Sequence, residues 1–174
     1  MSGLYRIPPS PKSKVFVSYH HHGDAAYYDL FARHFEGYNV VQDTSVDREI
    51  DSDNVDYVIQ TIRDDYLTGS SCTIVLCGNQ TPWRKFVDWE IKATLDKQHA
   101  LIGVVLPTNP QGANGTYIVP DRLFDNIESG YARWDYWTAL TPARLAALIW
   151  QARGADKALI RNSRELRRRN GARP

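Results

Sequence analysis

One carboxylate in this sequence falls in the middle of a largely apolar helix face. Pro82 suits the first turn of a helix and Thr81 suits its N-cap, so we expect a helix from about Trp83 to Lys97. At about 100° per residue, Glu90 shares one face of that helix with Trp83, Val87, Ile91 and Thr94, and Phe86 lies at the edge. Because a carboxylate among apolar neighbours costs free energy unless it is paired or used, Glu90 is the first candidate for a catalytic residue.

Each reactive side chain also has a structural interpretation. The carboxylate of Glu90 could instead bond a backbone N–H group, Arg84 or Lys85. Adjacent histidines point in different directions, and His20–His22 have no evident carboxylate partners, so a polar loop is favoured over a metal site. His20 is a candidate to face a ligand. Cys77 has no base at a recognisable spacing, so packing is favoured over nucleophilic catalysis.

Composition limits the class of protein. At 174 residues and 43% hydrophobic residues, the chain is long and apolar enough for one domain with a substantial core. A net charge of +1 gives no bias towards nucleic acid or membrane surfaces. Cys72 and Cys77 lie at opposite ends of one predicted strand, roughly 16 Å apart and beyond disulfide reach. Reduced thiols, no signal peptide and no apolar run of about 20 residues predict a cytoplasmic protein.

Strands and helices alternate along the chain five times. That alternation predicts a doubly wound α/β sandwich of the flavodoxin-like kind, in one domain over residues 14–160. Residues 1–13 are expected to be a flexible leader. Residues 161–174 carry six arginines against one glutamate and are expected to be a solvated basic tail, with nucleic-acid binding unlikely because the basic residues do not extend into the body. The predicted strands are Lys14–Tyr19, Tyr38–Gln42, Cys72–Cys77, Ala100–Leu106 and Tyr131–Trp134, and the predicted helices are Ala25–Glu36, Val55–Tyr66, Trp83–Lys97, a turn at Arg122–Ile127, and Pro142–Ile160.

Three separate segments resemble TIR-like domains. They are Lys14–His20, Ser71–Gly78 and Arg84–Ile91, and within the TIR-like domains they are most similar to the Thoeris ThsB group of bacterial anti-phage defence. The resemblance spans roughly residues 14–135 with matching order and spacing. It implies a five-stranded parallel TIR sheet in the order 2-1-3-4-5.

The resemblance also implies an activity and its partners. NAD would be the substrate rather than a resident cofactor, cleaved at the nicotinamide–ribose bond to give a cyclic or modified ADP-ribose signal. That signal would activate an effector of the ThsA type, and the enzyme could form a homo-oligomer. TIR enzymes place the catalytic glutamate four residues after an aromatic, usually Trp. Phe86 and Glu90 match that pair here, and Phe keeps an aromatic wall but lacks the indole N–H.

With the implied strand order, the ligand crevice lies at the carboxyl ends of the first and third strands. This crevice gathers polar and aromatic side chains near Glu90, which are the candidate substrate-binding residues. They are Ser18, Tyr19, His20, Asp43, Ser45, Asn79, Trp83 and Phe86. No metal site is predicted. Asp43 and Ser45 belong to a polar loop, Asp43–Asp53, that is too long for a tight turn and is therefore a candidate binding loop.

The cleavage needs little acid catalysis, because nicotinamide leaves a pyridinium as a neutral molecule. A carboxylate can hold the ribose hydroxyls and stabilise the oxocarbenium-like ribose, which suits Glu90. Tyr19 or Trp83 could stack on adenine or nicotinamide. Two alternatives stay open: a non-catalytic TIR module that acts by homotypic contact, and a flavodoxin-like nucleotide-binding protein without glycosidic chemistry.

Overall fold

The computed structural model describes residues 14–35 and 54–173. The predicted strand Tyr38–Gln42 and the predicted binding loop Asp43–Asp53 lie outside these residues. The strands are β1 (Val15–Ser18), β2 (Cys72–Cys77), β3 (Ala100–Val105) and β4 (Arg133–Tyr136). The α-helices are α1 (His21–His34), α2 (Val55–Thr61, continued by a π-helical turn Ile62–Tyr66), α3 (Lys85–Asp96), α4 (Asp121–Glu128) and α5 (Pro142–Arg153).

The four described strands form a parallel sheet in the order β1-β2-β3-β4. Val15 lies opposite Cys72, Ile74 opposite Ile102, and Val104 opposite Asp135. The predicted α/β class and parallel sheet are therefore confirmed. A five-stranded sheet in the order 2-1-3-4-5 stays a prediction, because the second predicted strand is outside the described residues.

Both faces of the sheet are covered by helices, as the apolar strands predict. Successive side chains of a strand point to opposite faces, and β2 divides its residues accordingly. Ile74 and Leu76 join the core under α1 and α5, whereas Val75 and Cys77 join the core under α3 and α4. A third apolar cluster, beneath α2, packs Phe16 against the side of α3 that carries Trp89. This arrangement fixes α3 against the sheet.

The start of α3 differs from the prediction. Thr81 does not cap an α-helix: its hydroxyl donates to the carbonyl of Leu76 at 3.1 Å and accepts the N–H of Gly78 at 2.9 Å. Thr81–Trp83 form a 3₁₀ turn, Arg84 is extended, and α3 begins at Lys85. The hydroxyl of Thr81 closes the turn after β2, and the helix starts two residues later than expected.

Two other helix boundaries were predicted wrongly. Helix α1 begins at His21 rather than at Ala25, with a break at Asp24, because the carbonyl of His20 accepts the N–H groups of both Gly23 and Asp24. Helix α5 ends at Arg153 rather than at Ile160, and Asp156 caps a separate 3₁₀ turn. Within the described residues, every helix is too short or too polar to span a membrane.

The basic residues after α5 do not form the solvated tail that the sequence predicts. Residues 161–173, called here the C-terminal segment, have no helix and pack across α3 and α4. Arg122 is 0% exposed and pairs with Asp88, with its Nε 2.9 Å from Oδ1. The same guanidinium donates to the carbonyls of Arg164 and Glu165. The ion pair between α3 and α4 therefore anchors the C-terminal segment to the domain.

Candidate functional site

A cavity of about 240 Å³ lies between the carboxyl end of β1 and the beginning of α3. The four residues that follow β1, Tyr19–His22, line one side. Side chains of the α3 region, from Arg84 to Glu90, line the other, and Asn170 of the C-terminal segment completes the wall. This is the strand-end edge of the sheet, where the parallel topology places a ligand site.

Glu90 is 6% exposed and is held from two directions. The hydroxyl of Ser18, at the end of β1, donates to Oε2 of Glu90. Behind it, Thr94 donates to the backbone carbonyl of Glu90 at 2.8 Å and bonds Thr73 of β2 at 2.7 Å. Because α3 is pinned to the sheet at this point, the carboxylate has a fixed position at the wall of the cavity. A fixed carboxylate can stabilise developing positive charge without reorganising.

Two of the predicted aromatic residues line the cavity. Phe86 lies there with its ring edge-on to Trp89, with the centroids 5.3 Å apart. Tyr19 also lines the cavity and stacks on Tyr28 at 4.6 Å. Trp83 does not line it: its ring lies beneath the C-terminal segment, with the guanidinium of Arg173 5.8 Å from the ring centroid. The aromatic wall is therefore formed by Tyr19 and Phe86, without Trp83.

The remaining predicted site residues divide into three groups. His20 lines the cavity and Ser18 reaches it through Glu90. Asn79 is exposed and is not part of the cavity wall. Asp43 and Ser45 lie outside the described residues. Cys77 is fully buried, and burial raises the pKa of its thiol. The structure therefore agrees with the expectation that Cys77 packs in the core and is not a nucleophile.

Sequence reasoning missed several polar residues of the cavity, among them His22, Arg84 and Asn170. Arg84 was considered only as a partner for Glu90, yet its side chain lines the cavity and its Nη2 donates to the carbonyl of Gly171. Asn170 comes from the segment that the sequence placed in solvent. Arg84 lies inside one of the segments that resemble TIR-like domains, and this position could have identified it as a candidate site residue. No local pattern pointed to Asn170.

A second buried carboxylate supports the loop after β1. Asp24 is 2% exposed, and its Oδ1 accepts the Thr108 hydroxyl at 2.9 Å. A Cβ on Gly78 would lie 2.1 Å from Oδ2 of Asp24, so this close approach requires glycine. Burial raises the pKa of Asp24 above its ordinary 3.8, an effect that the hydrogen bond from Thr108 and the charge of His20 oppose. The ionised form is thus disfavoured in the folded protein.

Replacing Asp24 by asparagine should therefore stabilise the protein at pH 7. A carboxyl whose pKa is raised on folding contributes stability below its unfolded pKa, and that contribution is lost as the pH rises through the folded pKa. The difference in unfolding free energy between Asp24→Asn and wild type should shrink as the pH falls towards 3.8, because the wild-type carboxyl is then protonated. Urea unfolding at a series of pH values measures it, with Asp29→Asn, at an exposed site on the same helix, as the control. An Asp24→Asn variant less stable than wild type at pH 7 would contradict the account.

Comparison with known proteins identifies the family. No curated protein matches the chain. A family model described as Thoeris protein ThsB, TIR-like domain, matches residues 16–111, which is more than half of the 174 residues and includes Ser18, Phe86 and Glu90. The chain therefore belongs to the family of Thoeris ThsB TIR-like domains.

Proposed function

We propose that this protein cleaves NAD at the bond between nicotinamide and ribose. The observation that carries the proposal is the buried Glu90, which receives the Ser18 hydroxyl bond at the wall of a strand-end cavity. A TIR-like domain has its catalytic glutamate on the helix after the central strand, which is where α3 carries Glu90. Phe86, four positions earlier, supplies the aromatic neighbour.

The reaction needs one carboxylate and a shielded pocket. The C1′–N bond breaks with its electron pair going to the pyridinium nitrogen, so nicotinamide leaves as a neutral molecule. The ribose that remains has oxocarbenium character, and the negative charge of Glu90 stabilises it. Water then adds and loses a proton to give ADP-ribose, or a nitrogen of the adenine adds to give a cyclic product.

The size of the cavity favours binding of one end of the dinucleotide. Pockets that enclose a drug-sized ligand have volumes of about 300–1,000 Å³. A cavity of about 240 Å³ therefore suits the nicotinamide ribose, with the rest of NAD outside it. Tyr19, His20 and Phe86 line the cavity and would therefore be neighbours of a bound nicotinamide ribose.

The family assignment supports a role in anti-phage defence. We propose that the product is a cyclic or modified ADP-ribose that acts as a second messenger and activates an effector of the ThsA type. The proposed site of action is the cytoplasm, where NAD is available. Assembly into a homo-oligomer belongs to the same proposal.

Mass spectrometry of the protein incubated with NAD tests the function directly. We expect free nicotinamide together with either ADP-ribose or a product one water lighter than ADP-ribose. Because an infection signal can be needed for activity, the protein is purified both from resting and from phage-infected cells. Absence of nicotinamide release from both preparations would favour the rival function, a TIR module that acts only by protein contact.

A further inference from the structure

We infer that Arg84 binds the phosphate of the substrate's nicotinamide ribose, and that Asn170 and Gly171 position it. This makes Arg84 a specificity-determining residue for phosphorylated over unphosphorylated ribosides. The inference rests on the proposed function, in that it names a contact of the same cavity. It also extends the active site into the C-terminal segment, beyond the residues that the family model covers.

Arg84 has hydrogen-bond donors available for a ligand. A guanidinium carries five N–H donors. In the part of the chain that the structure describes, Nη2 donates to the carbonyl of Gly171 and Nε is buried, whereas Nη1 makes no hydrogen bond. An anion placed in the cavity would accept from Nη1 and from the second N–H of Nη2, because phosphate matches the planar fork of arginine in a bidentate contact.

The C-terminal segment holds the backbone on both sides of Arg84. The N–H of Gly171 donates to the carbonyl of Trp83 at 3.0 Å. The N–H of Lys85 donates to Oδ1 of Asn170 at 2.9 Å, so Asn170 caps the first turn of α3 from a distant part of the chain. Arg84 lies between these two bonds in an extended conformation (φ −88°, ψ 122°). Its side chain is thus directed by two neighbouring residues of the C-terminal segment.

The close approach at Gly171 supports a tight fit. A Cβ on Gly171 would lie 3.2 Å from Cδ1 of Trp83. The segment therefore presses its backbone against the turn that precedes Arg84. This contact is maintained further along by the Trp89 indole, which donates to the carbonyl of Arg167 at 2.8 Å.

The spacing between Arg84 and Glu90 suits a ribose 5′-phosphate. Five helical steps separate Lys85 from Glu90, which is roughly 7.5 Å along the axis of α3, and Arg84 is the extended residue just before that helix. Glu90 at C1′ of the ribose and Arg84 at the 5′-phosphate would then bind opposite ends of one nucleotide. Arg84 and Glu90 both line the same cavity of about 240 Å³.

The test compares two ligands that differ only in that phosphate, nicotinamide mononucleotide and nicotinamide riboside. Binding is measured by calorimetry in the Glu90→Gln background, so that no turnover occurs. We expect Arg84→Gln to weaken binding of the mononucleotide by about tenfold or more and to change binding of the riboside by less than about twofold. Arg84→Lys should recover part of the loss. Arg169→Gln, which removes the same charge at an exposed neighbour outside this cavity, should change neither affinity.

The positioning role of Asn170 is tested by kinetics in the wild-type background. Asn170→Ala should raise the KM for NAD more than it lowers kcat, whereas a merely structural role would move the melting temperature and leave KM unchanged.

The possible outcomes separate the inference from the proposed function. If wild type releases nicotinamide but Arg84→Gln leaves the ratio of the two affinities unchanged, the inference is wrong and the function stands. If wild type releases none but Arg84→Gln still weakens the mononucleotide selectively, the function is wrong and the phosphate contact stands. No binding of the mononucleotide to protein with Arg84 intact overturns the inference.

Discussion

Replacing Glu90 by glutamine should lower nicotinamide release from NAD by about 10³-fold while leaving the fold intact. Glutamine has nearly the same shape and its carbonyl oxygen can still accept the Ser18 hydroxyl, so the contact between β1 and α3 is kept. The negative charge is lost, and with it the stabilisation of the oxocarbenium-like ribose. The effect falls on the chemical step, so kcat should fall far more than substrate affinity.

A nicotinamide-release assay under saturating NAD measures this loss, with a thermal melt to verify folding. Glu128→Gln is the matched control, because it makes the same substitution at an exposed position at the end of α4. It should keep the activity of wild type. Full activity in Glu90→Gln would exclude Glu90 as the catalytic carboxylate.

Replacing Arg122 by alanine should cost about 3–5 kcal/mol of unfolding free energy, because it leaves a buried charge without its partner. Asp88 would lose both of its hydrogen bonds from Arg122. It would keep the hydrogen bond from the backbone N–H of Arg167, at 2.8 Å. The carbonyls of Arg164 and Glu165 would also lose their donor. The C-terminal segment should then detach more readily from α3.

Urea unfolding measures the stability, and trypsin measures the release of the segment. Arg168→Ala is the control, since this exposed arginine belongs to the same segment but makes no comparable buried contact, and its effect should be within about 0.5 kcal/mol. Trypsin should cleave near Arg167 faster in Arg122→Ala than in wild type. Equal stability of the Arg122→Ala and Arg168→Ala variants would show that the ion pair does not hold the segment.

Local patterns were sufficient to predict the two central described strands and the position of Glu90, whereas the last strand, predicted at Tyr131–Trp134, occurs at Arg133–Tyr136. The continuous apolar runs at Cys72–Cys77 and Ala100–Leu106 predict buried parallel strands, and both occur as β2 and β3. Helical periodicity brought Glu90 onto the inner face of α3, where the structure has it. These features depend on residues within a few positions of each other, which is the range that a sequence pattern covers.

The features that the sequence did not reveal depend on distant contacts. Thr81 is an ordinary N-cap residue by type, but its hydroxyl is used by the turn after β2. The arginines after α5 are typical of a solvated tail, but the buried guanidinium of Arg122 binds the backbone of that segment. Asn170 reaches the cavity through a bond to Lys85, and no spacing rule links residues so far apart.

The cavity is assembled from three stretches that are far apart along the chain. Ser18 and Glu90 are 72 positions apart, and Lys85 and Asn170 are 85 positions apart. Contacts of such long range require large loops to close, at a cost in chain entropy, and they need the intervening sheet to bring the residues together. A ligand in this cavity can bind only the fully folded chain, so at saturating concentration it should delay unfolding of the whole domain rather than of one loop.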